Sequence, residues 1–442
     1  MEITALAEIL KKHGVVGAGG AGFPSYAKLN EKADIVILNC AECEPLFRVH
    51  RQTLASYSAE ILYALNEVKK AVNAKEAIIA VKDSYKDAVM AVEGCISDFE
   101  GMSIKKLPET YPAGDEVVLI YETTGRVTPP GQIPISVGVI VYNVETMLNA
   151  YYAIKKDESV TTKLVTISGE VKKPQTFKAP LGMTLKDLVA LAGGETVKDS
   201  VYINGGVMTG KVASPYDVVT KTTNAVLVFP KDHPVVLKKT AKTRVALKRV
   251  QSACCQCRMC SDLCPRNLLG HPIEPHAIMN AASNGDTRDI RIFTGALYCS
   301  DCGLCEMYSC GQMLSPRTII NEFKTELKGK PELKDMPKQS KVSPARNYRR
   351  VPMERLITRL GIKKYDVPSP ITDKEIDAKK VKIMLSQHIG APATPVVKEG
   401  DSVVKGQVVA STKDKLGADI HASIDGKVGE ITKTYIKIER TN

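Results

Sequence analysis

Along the first third of the chain the hydrophobic positions change period repeatedly. Residues 3–12 carry apolar side chains at helical spacing, 35–39 read as a strand with an unbroken apolar run at 35–38, and 52–71 return to the helical period. A second run at 77–82, a helical stretch at 85–99 and another short run at 137–141 follow. This alternation predicts an α/β domain over residues 1–158. From 159 to 232 the pattern shifts: a strand at 164–169, a short helix over 184–191 ending at Gly193-Gly194, and a closing strand at 225–229 predict a small α+β module of β-grasp type. Residues 245–325 hold a cysteine-rich stretch with helical flanks. Residues 326–378, rich in Lys, Arg and Pro with weak periodicity, read as an extended basic linker. From 379 to 442, short alternating runs between the turn signals Gly400-Asp401 and Asp425-Gly426 predict a compact all-β barrel or sandwich. The expected fold class is multidomain, α/β and α+β.

A length of 442 residues leaves room for several such cores. No apolar run approaches the roughly 20 residues of a spanning helix. The start, Met1-Glu2-Ile3-Thr4, lacks the basic and apolar segments of a secretory signal. A soluble, cytoplasmic protein with no direct membrane insertion is expected. The net charge of +12 gathers at 238–249 and 324–364. Such a surface suits nucleic acid, lipid headgroups, an acidic redox partner, or simply solvent. No nucleic-acid fold signature accompanies it, so no nucleic-acid partner is expected.

Cysteine placement changes the picture most. Nine of the twelve cysteines lie between Cys254 and Cys310, whereas a disulfide framework would spread through the chain. One group reads Cys254-x2-Cys257-x2-Cys260-x3-Cys264-Pro265, the other Cys299-x2-Cys302-x2-Cys305-x4-Cys310. A triple C-x2-C-x2-C wrap supplies three thiolates to a cubane, and a distant cysteine supplies the fourth. Structural zinc instead favours two separated C-x2-C pairs. The spacing therefore predicts two [4Fe–4S] clusters. By the crossed pattern of two-cluster ferredoxins, one takes Cys254, Cys257, Cys260 and Cys310, and the other Cys299, Cys302, Cys305 and Cys264. The x4 spacing before Cys310 departs from that pattern, and Cys255 falls outside it.

Near the start, Gly17-Ala18-Gly19-Gly20-Ala21-Gly22 satisfies G-x-G-x-x-G, yet a helix rather than a strand precedes it, so an ordinary Rossmann reading fails on context. Bare glycine backbone beside a short helix carrying Lys28 has the capacity to hold a phosphate; a simple tight loop fits equally well. The loop, through Phe23-Pro24 and Lys28, is joined by Asn39-Cys40-Ala41-Glu42-Cys43-Glu44-Pro45, by Tyr111-Pro112-Ala113-Gly114-Asp115-Glu116 and by Tyr142-Asn143-Val144-Glu145-Thr146. Together these segments resemble the flavin subunit of respiratory complex I and the C subunit of the Rnf electron-transport complex. The resemblance implies FMN with its phosphate over Gly17, Gly19, Gly20, Gly22 and Lys28 and polar contacts from Asn39 and Asn143. It also implies NADH docking near Phe23, Glu42, Glu44 and Glu116. Cys40 and Cys43 depart from the complex I pattern.

Residues 160–230 resemble the soluble-ligand-binding β-grasp module of this family, and 380–442 its barrel-sandwich hybrid. That last module comes first in the Rnf subunit, and the rearranged order resembles the PduS-type cobalamin reductases of propanediol-utilisation microcompartments. This resemblance implies an enzyme: an NADH-dependent oxidoreductase passing electrons through FMN and two clusters to cobalamin or a corrinoid-handling enzyme. It also admits other redox proteins or a microcompartment shell as partners and a location inside the shell. An Rnf-type subunit, an adaptor to another reductase, and a cluster-bearing scaffold without flavin are the rival readings. Asp414-Lys415 echoes a lipoyl dipeptide, although an unmodified hairpin turn accounts for it. His271 and His276 lie between the cysteine groups, either near a cluster or merely solvated. No hydrolytic motif appears, and no catalytic residue is assigned.

Overall fold

The computed structural model describes residues 1–330, 340–372, 374, 376–413 and 415–441. Part of the basic 326–378 stretch and Asp414 of the lipoyl-like dipeptide lie outside them. The first domain is built on four parallel strands in the spatial order Met102–Leu107, Glu76–Lys82, Ile35–Cys40, Val139–Asn143. Val36, Ile37 and Leu38 are fully buried, with Leu62 and Leu65 packing one face and Leu119 and Ile120 the other. Burial on both faces explains why these strands read as unbroken apolar runs rather than alternating ones. The helical stretch at 52–71 is two helices, Val49–Ser56 and Ser58–Ala71, because Tyr57 leaves helical geometry at φ −133°. That at 85–99 is a helix over Lys86–Glu93, which stops at Gly94, and a short turn of 3-10 helix, Ile96–Asp98.

A six-stranded sheet follows, ordered Ile371–Thr372, Gln175–Pro180, Thr162–Gly169, Ala225–Pro230, Ser200–Asn204, Lys211–Ala213. The strands Thr162–Gly169 and Ala225–Pro230 run parallel at its centre, and the helix Leu185–Leu191 packs on it through Leu185, Leu188 and Val189. Its edge strand comes from the expected linker, which is therefore not extended. Val351–Pro352 pairs with Thr110–Tyr111, and the helix Met353–Arg359 buries Met353, Leu356 and Ile357. Elements of two to seven residues are too short for a hydrophobic period to register.

The cysteine-rich region is helical, dominated by Thr243–Ala253, Pro275–Asn284 and Pro316–Leu327. The C-terminal residues form a four-stranded and a three-stranded antiparallel sheet. Lys415 is exposed in the turn joining Val408–Ser411 to Ile420–His421. This last unit packs against the first domain: the amide of Ile389 donates to Gly22 O (3.0 Å), and Lys11 Nζ donates to Lys413 O (2.7 Å). Among the described residues no helix is long and apolar enough to cross a membrane.

Candidate functional site

In chain order the strands of the first sheet run 3-2-1-4, so the winding direction reverses between Ile35–Cys40 and Val139–Asn143. In open parallel sheets, ligands bind outside the carboxyl ends of the strands at such a reversal. Asn39 and Asn143 stand in register there. Asn39 Oδ1 accepts from the Ala41 amide (3.0 Å) and its Nδ2 donates to Gly114 O (3.0 Å). Asn143 caps the helix Val144–Lys156 through Glu145 N (3.0 Å), and its amide nitrogen lies 3.1 Å from His50 Nε2. The sequence hid this crevice because strand order is a tertiary property.

The glycine loop closes over the same place. Residues 15–25 form a tight hairpin, with Gly17 N donating to Phe23 O (2.8 Å), Gly22 N to Gly17 O (3.2 Å) and Ser25 N to Val15 O (3.1 Å). Ala18 N donates to Thr146 Oγ1 (2.9 Å), which anchors the loop to the helix behind the crevice. At Gly19 a Cβ would come within 2.9 Å of Asn143 Nδ2, so the close approach needs glycine; at Gly20 no atom lies within 4 Å. Gly19, Gly20 and Ala21 are exposed, and their amides donate to no group among the described residues. Lys28 follows on the turn Ser25–Lys28, donating to Val141 O (2.8 Å) and Glu116 Oε1 (3.0 Å). Unpaired amides with a lysine behind them form an anion cradle. These residues fit an FMN phosphate.

The residues expected on the nicotinamide side divide. Phe23 is half-buried at the end of the loop, and Glu116 keeps 45% exposure. Glu42 is buried, accepting from His50 N (3.0 Å) and Arg51 Nε (3.3 Å). Burial would raise its pKa, but the His50 and Arg51 charges outweigh burial and hold it below the ordinary carboxylate range. Glu44 accepts from the amides of Met208 (2.8 Å) and Thr209 (2.7 Å) in the second domain, where Gly206 lacks the Cβ that would collide with it. Both carboxylates are committed to holding structure. Burial pushes the Cys43 thiol up to about 12 and Cys40 higher still; both are free thiols.

The eight cysteines fall into two sets. Burial, then Cys310, Cys257 and Cys254, push Cys260 up to about 12. Burial and Cys299 push Cys264 up to about 11, and Cys302 and Cys305 are raised by burial together with Cys299 and Cys264. Thiols that act on one another are close neighbours. Cys254, Cys257, Cys260 and Cys310 thus lie together, as do Cys264, Cys299, Cys302 and Cys305. The second set lines one cavity with Arg266, Ile273, Gly303 and Arg317. Among the described residues no group of three His, Cys, Asp or Glu converges on a single ion; the four thiols of the second set line that cavity instead.

Both wraps share one backbone form. Left-handed φ occurs at Gln256 and Arg258 in the first and at the matching Asp301 and Gly303 in the second. At Gly303 a Cβ would sit 2.6 Å from Arg317 Nη1, so the guanidinium would have to shift to admit one. The extra residue before Cys310 is absorbed as a π-helical turn, Cys305–Ser309, in which Ser309 Oγ donates to Leu304 O (3.0 Å). Amides aim at sulfur in the second group: Asp301 N at Cys299 Sγ (3.3 Å) and Leu314 N at Cys310 Sγ (3.4 Å). Such bonds tune cluster potential. His271 Nε2 donates to Thr128 O (3.1 Å), and His276 Nδ1 pairs with Ser261 Oγ (2.8 Å).

The segment from Tyr111 to Glu116 joins the two sites. Tyr111 hydroxyl donates to Cys302 O (2.5 Å). Asp115 caps the helix Glu116–Thr124 and pairs with Arg266 (2.9 Å), two positions after Cys264. Gly114 O receives Asn39, and Glu116 receives Lys28. The Asp115–Arg266 pair escaped sequence reading because its partners are 151 residues apart.

Comparison with known proteins matches four segments of the chain. Residues 10–152 match the Nuo51 FMN-binding domain, 164–212 the SLBB domain, 253–315 a 4Fe-4S dicluster domain, and 358–441 the RnfC barrel sandwich hybrid domain. Over 435 residues, 98% of this chain and 96% of the relative, it is 40% identical to cobalamin reductase PduS of Citrobacter freundii. The chain belongs to the PduS family. The Salmonella typhimurium PduS is equally similar, at 40% over the same span. The C subunit of a proton-translocating ferredoxin:NAD(+) oxidoreductase complex from Clostridium ljungdahlii is 30% identical over 61% of this chain and 57% of that one. Among solved structures, an NAD+-reducing [NiFe]-hydrogenase matches at a TM-score of 0.50 and 20% identity, over 74% of this chain and 63% of that chain, a likeness of fold. This PduS family member is thus a multidomain electron-transfer oxidoreductase of the flavin and iron–sulfur class.

Proposed function

We propose that the protein takes electrons from NADH into FMN at the glycine loop and passes them through two [4Fe–4S] clusters to cobalamin. The observation that carries this reading is the Tyr111–Glu116 segment, one end of which bonds Lys28 beside the loop while the other bonds the Cys302 carbonyl. FMN, when bound, accepts two electrons together and releases them singly, which matches one-electron clusters. Gly19, Gly20 and Ala21 amides hold the phosphate, with Lys28 as counter-charge. Asn39 and Asn143 fix the ring's polar edge, and Phe23 and Glu116 border the nicotinamide. Glu42 and Glu44 act as positioning residues: one orients His50 and Arg51, the other ties the second domain to the first. Cys264, Cys299, Cys302 and Cys305, whose segments bond to the flavin domain through Tyr111 and Asp115, would hold the cluster nearer the flavin site, and Cys254, Cys257, Cys260 and Cys310 would hold the other. Cobalamin as acceptor comes from the PduS relatives.

Anaerobic addition of NADH to iron- and flavin-loaded protein tests this. Bleaching of flavin and cluster absorbance, about eight irons per chain, and reduction of added aquacobalamin are expected. Full iron with neither chromophore responding to NADH would overturn the reading.

A further inference from the structure

An open cleft of about 670 Å³ lies beside Cys260 and Cys310, lined by Met259, Leu263, Tyr308, Ser309 and the helix Met353–Arg359. Its floor is set by the ligands themselves: Met259, Leu263 and Ser309 are each one position from Cys260, Cys264 and Cys310. Its wall is the exposed face of the helix, presenting Glu354, Arg355, Thr358 and Arg359. Arg359 Nη2 donates to Cys310 O (3.2 Å), which fixes that guanidinium at the cluster edge. Arg355 has no ion pair among the described residues, and Met259 is 42% exposed. The cleft therefore combines apolar side chains over the cluster, hydrogen-bonding groups at the rim, and two guanidinium groups on one side.

We propose that this cleft is the acceptor site, where a corrinoid lies over Met259 and Tyr308 and sets the phosphodiester of its nucleotide arm against Arg355 and Arg359. The inference rests on the cobalamin reading above. A corrin offers a broad apolar face, a rim of amides and one anionic arm, each with a counterpart here, and a guanidinium pairs with a phosphate oxygen through two N–H groups. At about 670 Å³ the cleft falls within the range of cofactor sites, and being open it would cover one face of a corrin and leave the other to solvent. Two electrons from one NADH, which leaves NAD+ and a proton, convert two aquacob(III)alamin to two cob(II)alamin, each losing its axial water.

The test is equilibrium dialysis of hydroxocobalamin and of cobinamide, which lacks the phosphodiester arm, against oxidised, iron-loaded protein. Arg355→Glu is expected to weaken hydroxocobalamin binding at least tenfold and cobinamide binding less than threefold. The distant exposed substitution Lys198→Glu is expected to change neither. Hydrogen exchange should show corrinoid protection of 305–310 and 353–359. Wild-type affinity in Arg355→Glu, or protection elsewhere, overturns the site while the acceptor reading stands. A wild-type protein that neither binds hydroxocobalamin nor reduces it, yet passes NADH electrons to ferricyanide, overturns the acceptor reading and the site with it.

Discussion

Asp115 both starts the helix Glu116–Thr124 and ties it to the cluster domain, so its substitution measures how firmly the two sites are joined. Asn in its place keeps an acceptor for the amides of Val117 (3.1 Å) and Val118 (3.2 Å), so the cap survives and the charge pair is lost. Removing one partner of a buried pair costs about 3–5 kcal/mol. Arg266 keeps 18% exposure and regains some hydration, which lowers the expectation to roughly 2–3 kcal/mol. At about 1.4 kcal/mol per decade, local opening should rise roughly 30- to 140-fold. Asp115→Ala also removes the cap, adding about 1 kcal/mol. The assay is amide exchange over 116–124 and 265–269 in iron-loaded protein, since local openings of this kind are read by exchange rates. Less than threefold faster exchange in Asp115→Asn, or acceleration spread evenly over the chain, would refute the claim that this pair holds the interface.

Cys264→Ser and Cys310→Ser should each lose one cluster, leaving about four irons, with different electron paramagnetic resonance signals surviving; identical signals would rule out the crossed sets. In Gly19→Ala the new Cβ displaces Asn143, disrupting a helix cap worth about 1 kcal/mol and lowering flavin per chain several-fold, with flavin release on denaturation as the readout. Lys221, whose amine is buried against Gly14 O (2.7 Å) and Asp419 O (3.0 Å), has its pKa lowered to about 7 by burial. Between about pH 7 and the ~10.4 of an unfolded lysine the unfolded chain holds the extra proton, so stability gains as pH rises through that window. The stability difference between wild type and Lys221→Met should grow in favour of wild type from pH 7 to 9; a pH-independent difference would contradict this.

What could be read from the chain was local chemistry. The cysteine spacing pointed to an iron–sulfur region because a cubane wrap is determined within seven residues, and the loop from Gly17 to Gly22 announced itself through glycines that the structure uses at Gly19. What escaped was tertiary. The order of the parallel strands, which makes the crevice, depends on pairings that leave no periodicity. Glu42 and Glu44 looked available because their partners, His50, Arg51 and the Met208 and Thr209 amides, are identified only by folding. The helix Met353–Arg359 was hidden in a basic stretch whose charges face solvent or the cleft. The added residue before Cys310 is taken up locally by a π turn.

The bond from Ile389 to Gly22 has a consequence for biosynthesis. The ribosome finishes the glycine loop at once but its clamp only after some 367 more residues, roughly 20–70 s later at ordinary elongation rates. Until then the loop is a hairpin supported from one side. Nascent chains can therefore complete their cysteine wraps before the glycine loop has its C-terminal support.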